Sequence, residues 1–143
     1  MELMAVIQAL SAITTPCAVT VYCDSQYVVK AWTEDGIRKA QQKGSPVANG
    51  DLLEMYYLLG TYHYLTMAWV RGHSNIPGNE LADELATQGR LNPDCPVDPG
   101  YAVDKGKRVV RKFREKLTPA SAANFPEFAP YLHPDFLTKS KEN

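Results

Sequence analysis

His73 and Asp83 frame the stretch of this chain that could do the most chemistry, Trp69-Val-Arg-Gly-His-Ser-Asn-Ile-Pro-Gly-Asn-Glu-Leu-Ala-Asp83. An apolar run leads into a glycine-containing loop that holds His73, and a helical pattern follows with Asp83 in its first turn and a half. A proton carrier and a carboxylate thus come to one end of a sheet. Asp24, just after the apolar run Ala18–Cys23, and Glu2, at the head of a helical pattern, are placed to complete a cation site. Hard oxygen ligands suit Mg²⁺ or Mn²⁺, and the sequence has no Cys/His cluster of the kind that holds zinc.

Electrostatics gives the reason to gather carboxylates. Two unit charges about 4 Å apart repel by roughly 4 kcal/mol at an effective dielectric of 20, so such a cluster calls for a cation. A pair of divalent ions can clamp the attacking and leaving oxygens of a phosphodiester while a histidine moves the proton. Spacing alone leaves plainer roles open. Asp24 could simply cap a helix, His73 could be an exposed loop residue, and Asp83 with Glu84 could be a solvated helix face.

The elements that would position these groups follow from periodicity. Leu3, Val6, Ile7, Leu10 and Ile13 recur at helical spacing and predict a helix over 2–13 with no N-cap residue, stopped by Thr14-Thr15-Pro16. Ala18–Cys23 is a short β-branched run typical of a strand buried on both faces. Asp24 and Ser25 then sit at its carboxyl end, the edge where open α/β sheets build their sites. Helix resumes over Gln26–Thr33, and the polar stretch 34–50 leaves room for a second short helix. Asp51 is expected to cap a helix over Leu52–Gly60, Tyr64–Val70 is the second strand, and Asn79 is expected to cap a helix ending at Gly89.

That order implies an α/β fold with a parallel strand pair. Two strands are too few for a stable sheet, so a partner for 18–23 is expected outside these residues. Seven of the ten prolines fall in 93–134, which places a domain boundary near 91–100. Within 91–143 the periodic stretch is 103–117. There Val109, Val110, Phe113 and Leu117 form a stripe among Lys105, Lys107, Arg108, Arg111, Lys112, Arg114 and Lys116. It is expected to be a surface helix packing Val110 and Phe113 on the domain, or a tail with no role, in preference to a phosphate-binding element.

The 143 residues, 45% hydrophobic, suit one domain with a tail, and the net charge of −1 does not advertise nucleic acid. Cys17, Cys23 and Cys95, odd in number and without close pairing, argue against a disulfide framework and fit a reducing compartment. No run approaches eighteen apolar residues, and no secretory pattern opens the sequence, so a cytoplasmic protein with no membrane contact is expected.

Three blocks carry a resemblance: Met1-Glu-Leu-Met-Ala-Val-Ile-Gln-Ala-Leu10, Cys23-Asp-Ser-Gln-Tyr-Val28, and Trp69-Val-Arg-Gly-His-Ser-Asn75 followed by Asn79-Glu-Leu-Ala-Asp83. In order and approximate spacing they closely resemble the type 1 ribonucleases H over residues 1–90. The resemblance implies a ribonuclease H-like mixed sheet with flanking helices. It implies cleavage of the RNA strand of RNA–DNA hybrids with two Mg²⁺ ions (Mn²⁺ as a substitute), giving 5′-phosphate and 3′-hydroxyl ends. It makes Glu2, Asp24 and Asp83 metal ligands and His73 a mobile histidine that assists product departure. Ser25, Gln26, Asn49, Arg71, Gly72 and Asn79 become substrate contacts, and Glu2 also faces the ribose 2′-hydroxyl by which such an enzyme tells RNA from DNA.

The departures from the family pattern matter as well. The family's domain opens with three antiparallel strands, the first carrying an aspartate that bridges both metals, and residues 1–143 do not contain them. Met1 stands where members have an internal methionine. A free α-amino group beside Glu2 would compete with a metal for it. The 143-residue chain is therefore expected to be poorly stable and nearly inactive, and its full-length form an active monomer. The alternative reading is a non-catalytic nucleic-acid-binding remnant or adaptor.

Overall fold

The computed structural model describes residues 2–92, 100, 104–113 and 115–139. Helix α1 (Glu2–Ala12) buries Leu3, Val6, Ile7 and Leu10 on one face, the spacing that its sequence announces. Strand β1 (Ala18–Cys23) follows, then α2 (Gln26–Thr33), α3 (Gly36–Lys43) and α4 (Gly50–Tyr62). Strand β2 (Tyr64–Trp69) leads to α5 (Pro77–Leu91), and α6 (Pro134–Lys139) is the last described element. Between α5 and α6 lie three short 3₁₀ turns, at Asp104–Gly106, Ala122–Asn124 and Pro126–Tyr131.

β1 and β2 pair in parallel, in register from Ala18 opposite Tyr64 to Cys23 opposite Trp69. A parallel pair requires a crossover, which α2, α3 and α4 provide. The helices bury Val28, Val29, Leu52, Met55, Tyr56 and Leu59 beneath the sheet with Met67. The expectation that β1 is buried on both faces needs correcting. Val19, Val21 and Cys23 pack toward the helices, whereas Tyr22 is 70% exposed and Tyr64 of β2 is 79% exposed on the other face. The β-branched run therefore reads as half-buried, because among the described residues no layer covers its second face.

α4 begins at Gly50 with Asn49 at its N-cap, so Asp51 lies in its first turn and not at the cap. At the other end His63 is buried and fully engaged. Its Nδ1 accepts the Cys17 backbone N–H at 3.3 Å, which leaves Nε2 to donate to the Leu10 carbonyl at 2.9 Å. This histidine joins α1, β1 and α4 and is structural.

Among the described residues of 103–117 the expected helix does not form. The chain there is a 3₁₀ turn at Asp104–Gly106 followed by an extended strap, with an isolated antiparallel bridge between Val47 and Arg108. Tertiary contacts outweigh the weak helical stripe. Val110 enters the core, and the Arg111 backbone N–H, Nε and Nη2 all donate to the buried carboxylate of Glu54 at 2.9–3.1 Å. Nor is 104–139 a tail apart from the domain. Val110, Leu117, Ala122, Phe128, Leu132 and Phe136 share one core with α1 and α4, and the His133 N–H donates to Ser11 Oγ of α1 at 2.8 Å.

Candidate active site

The residues singled out for chemistry gather at the carboxyl edge of the two strands. Asp24 follows β1 directly, is half-buried, and accepts Trp69 Nε1–H from the end of β2 on its backbone carbonyl at 3.1 Å. The Asp24 Oδ2 atom accepts the side-chain amide of Asn79 at 3.4 Å. Gly72 sits against the same carboxylate. A Cβ on Gly72 would lie 3.2 Å from Asp24 Oδ2, tighter than a side chain takes comfortably, so glycine leaves the carboxylate its space.

The loop leaving β2 turns through two left-handed residues, His73 at φ 55° and Asn75 at φ 61°. These bring the chain back so that α5 starts beside the sheet edge, with Ile76 at the N-cap position and Pro77 in the first turn. Asn79 is therefore inside the helix and not its cap, and its amide is free to reach Asp24. His73 Nδ1 stands 3.8 Å from Asp83 Oδ2, with the imidazole 89% exposed.

Glu80, which the sequence reading passed over, joins that pair. Ligand atoms of His73, Glu80 and Asp83 all lie within 4.8 Å of one another. The signal for it was present, since Glu80 precedes Asp83 by three residues and so shares its helix face. Among the described residues Glu2, Asp24 and Asp83 do not form so tight a group. Asp83 Oδ2 is a buried oxygen with no hydrogen-bond partner, an atom whose desolvation a cation would offset.

Glu2 opens α1, whose far end leads by a short link to the start of β1, so its first turn lies toward the carboxyl edge. Its charge is felt there. Burial raises the Cys23 thiol above its ordinary value, against a lowering hydrogen bond from the Ser25 backbone, and the Asp24 and Glu2 carboxylates push it further up.

The remaining positions divide by what holds them. Ser25 is the N-cap of α2 and its hydroxyl accepts the Val28 N–H at 3.3 Å. Gln26, next to it, is exposed, as is Arg71 in the loop. Asn49 has a left-handed backbone (φ 56°), and its side chain makes no capping bond to α4. Since α4 runs into β2 through His63 alone, its first turn lies at the opposite end from that junction, toward the site edge.

Hard oxygen donors beside an exposed imidazole suit a divalent cation and the handling of a phosphate. Comparison with known proteins points to one family. The RNase H family model matches residues 1–90. The ribonuclease H of Lachnoclostridium phytofermentans is 47% identical over 108 residues, 68% of each chain. That of Cupriavidus metallidurans is 47% identical over 96 residues, 62% of this chain and 65% of its own. That of Nitratidesulfovibrio vulgaris is 41% identical over 109 residues, 71% and 69% respectively. The chain thus spans about two thirds of the length of these relatives.

Proposed function

We propose that this chain, which belongs to the ribonuclease H family, hydrolyses the RNA strand of RNA–DNA hybrids with two Mg²⁺ ions, giving 5′-phosphate and 3′-hydroxyl ends. The observation that carries the reading is the meeting of Asp24, held by Asn79, and the His73–Asp83 pair at one sheet edge. Those two halves come from sequence segments nearly fifty residues apart, and the parallel register is what aligns them.

Asp24, Asp83 and Glu2 would hold the cations, and the orphaned Asp83 Oδ2 fits that role. The ions, when bound, supply a Lewis acid for the phosphoryl oxygens and lower the cost of ionising the attacking water. The chain's own groups do the rest. His73, exposed and, among the described residues, paired with Asp83, can swing toward the scissile phosphate and carry a proton to the departing 3′-oxygen at Nε2. Gln26, at the first exposed position of α2, and Asn49, with its amide uncommitted, can hydrogen-bond sugar and base edges. Gly72 and Arg71 line the approach, the first by having no side chain and the second by its charge.

Among the described residues β1 pairs on one side alone, so its other edge lacks ladder partners. That open edge supports a marginally stable fold and, with it, weak cleavage. Cys17 and Cys23 are free thiols, which suits the reducing cytoplasm, and no helix among the described residues is long and apolar enough to cross a membrane.

A labelled RNA–DNA duplex incubated with the purified chain and Mg²⁺ tests the reading. Slow cleavage confined to the RNA strand is expected, abolished by EDTA and reduced at least about 100-fold by Asp24→Asn. Cleavage that survives Asp24→Asn, or that needs no divalent ion, would overturn it.

A further inference from the structure

Across the first turn of α4 from the sheet edge lies a basic strap that the proposed chemistry does not use. Asp104, Lys105 and Gly106 are successive left-handed residues (φ 53°, 54° and 71°), and this turn aims the Lys105 carbonyl at the Asn49 N–H, 3.4 Å away. Arg108 then exchanges backbone hydrogen bonds with Val47 at 2.9 and 3.1 Å. The strap backbone lies so close to Gly50 that a Cβ there would meet the Arg108 carbonyl at 2.0 Å. Further on, the Arg111 bonds to Glu54 and the burial of Val110 lock the strap in place.

This anchoring uses one cation of the strap and leaves the others outward. Lys105, Lys107, Arg108 and Lys112 are exposed, and none is within salt-bridge distance of a carboxylate among the described residues. Asp104 is the single acid between 104 and 113. Lys112 also faces Arg38 of α3 across a cleft of about 530 Å³, lined further by Trp32, Gln41, Tyr57 and Phe113. A row of cations beyond salt-bridge distance of any described carboxylate therefore runs from the side of Asn49 to α3, Arg108 among them also lining a second cleft with Asp51, Glu54 and Glu127. On a chain of net charge −1 such a row is a local feature and not a consequence of overall composition.

We propose that the strap 104–112 is a phosphate-backbone contact for the nucleic-acid duplex, with Lys105, Lys107 and Arg108 each neutralising a phosphate beyond the scissile one. The proposal rests on the hybrid being the substrate. The rigid attachment to Asn49 and Glu54 sets the spacing of these charges relative to the site, which a flexible basic tail could not do. Phosphate contacts of this kind fix register and raise affinity without reading sequence.

The test measures binding of the full chain to an RNA–DNA duplex in EDTA, where nothing is cleaved, as a function of salt. Each released counterion contributes about 0.9 to the slope of log K against log salt. Lys105→Gln, Lys107→Gln and Arg108→Gln combined should make the slope shallower by about 2 to 3 and weaken low-salt binding at least about tenfold. Lys139→Gln on α6, packed against α1, should leave the slope unchanged. An unchanged slope in the triple variant, with its unfolding midpoint intact, overturns the strap's role while leaving the nuclease reading standing. An equal change with Lys139→Gln also overturns it, because the effect would then be one of net charge. Duplex binding with the expected slope change but no cleavage by any form would sink the nuclease reading and leave the strap's role supported.

Discussion

Asn79 and Asp24, 55 residues apart in sequence, are joined by a hydrogen bond of 3.4 Å from the amide to the carboxylate, and this bond fastens α5 to the end of β1. Its importance follows from what α5 lacks. None of the described residues of that helix is buried, and Leu81 and Leu85 are more than half exposed. Packing therefore does little to place Asp83, and polar contacts do more.

Replacing Asn79 by Ala should loosen the start of α5 without unfolding the domain. A bond to a carboxylate at this length contributes about 1 kcal/mol, so amide exchange over 80–83 should quicken about fivefold while exchange in α4 stays as it was. Exchange rates in α5 that do not move would show that something else holds the helix.

Gly60 offers a sharper contest between two effects. In the last turn of α4 an alanine should stabilise by at most about 1 kcal/mol from helix propensity. Yet its Cβ would stand 2.3 Å from the Trp32 ring, which is pinned by Nε1–H bonding to the Leu65 carbonyl at 3.2 Å and by stacking on Tyr56. Overpacking against so fixed a ring costs about 1–3 kcal/mol and should prevail. Gly60→Ala is expected to lower the urea midpoint, and Trp32→Leu in the same chain to recover part of the loss. A midpoint that rises in the single variant contradicts the packing.

Much of this was legible in the sequence, and most of what was not has a common cause. α1 and β2 follow from periodicity because their apolar spacing matches what they bury, whereas β1 follows from its β-branched run, which overstates its burial on the uncovered face. The grouping of His73 with Asp83 followed from a strand, a glycine loop and a helix read in order. Most of what escaped depended on contacts between distant segments. Asn79 reads as a helix cap because asparagine is a favoured cap residue, although Pro77 two residues earlier is itself a first-turn signal and marks the true start. The strap at 107–113 reads as a helix, since the partner that decides its shape, Glu54, lies in α4. Glu80 was hidden by its neighbours, not by its position.

The Glu54–Arg111 pair makes that last long-range contact measurable. Glu54 is 5% exposed, and Arg111 gives it one backbone and two guanidinium bonds. Arg111→Met should leave the buried carboxylate with only the backbone donor and destabilise by about 2 kcal/mol. Removing both charges, with Glu54→Met added, should cost less than the sum of the two single changes, because no unpaired charge remains. Strict additivity in chemical denaturation would mean that the pair does not act as a unit.

Stability should also fall on the alkaline side, for a reason that lies in the core. Burial, with a smaller push from Cys23, raises the Tyr56 phenol well above its ordinary 10.0, and its hydroxyl donates to the Val28 carbonyl at 3.0 Å. Burial likewise raises Tyr62 above 10.0 and Cys23 above 9.0. These groups stay protonated in the folded chain at a pH where the unfolded chain has lost its protons, so ionisation favours unfolding as pH rises. Below pH 9 both states are protonated and the groups add no pH dependence. Unfolding free energy should thus begin to decline near pH 9 as Cys23 enters its window, and decline more steeply above 10. Tyr56→Phe should cost about 1 kcal/mol at pH 7 for the lost hydrogen bond, yet show a shallower fall between pH 10 and 11. Equal slopes for the two proteins in that interval would clear the buried phenol of responsibility for the loss.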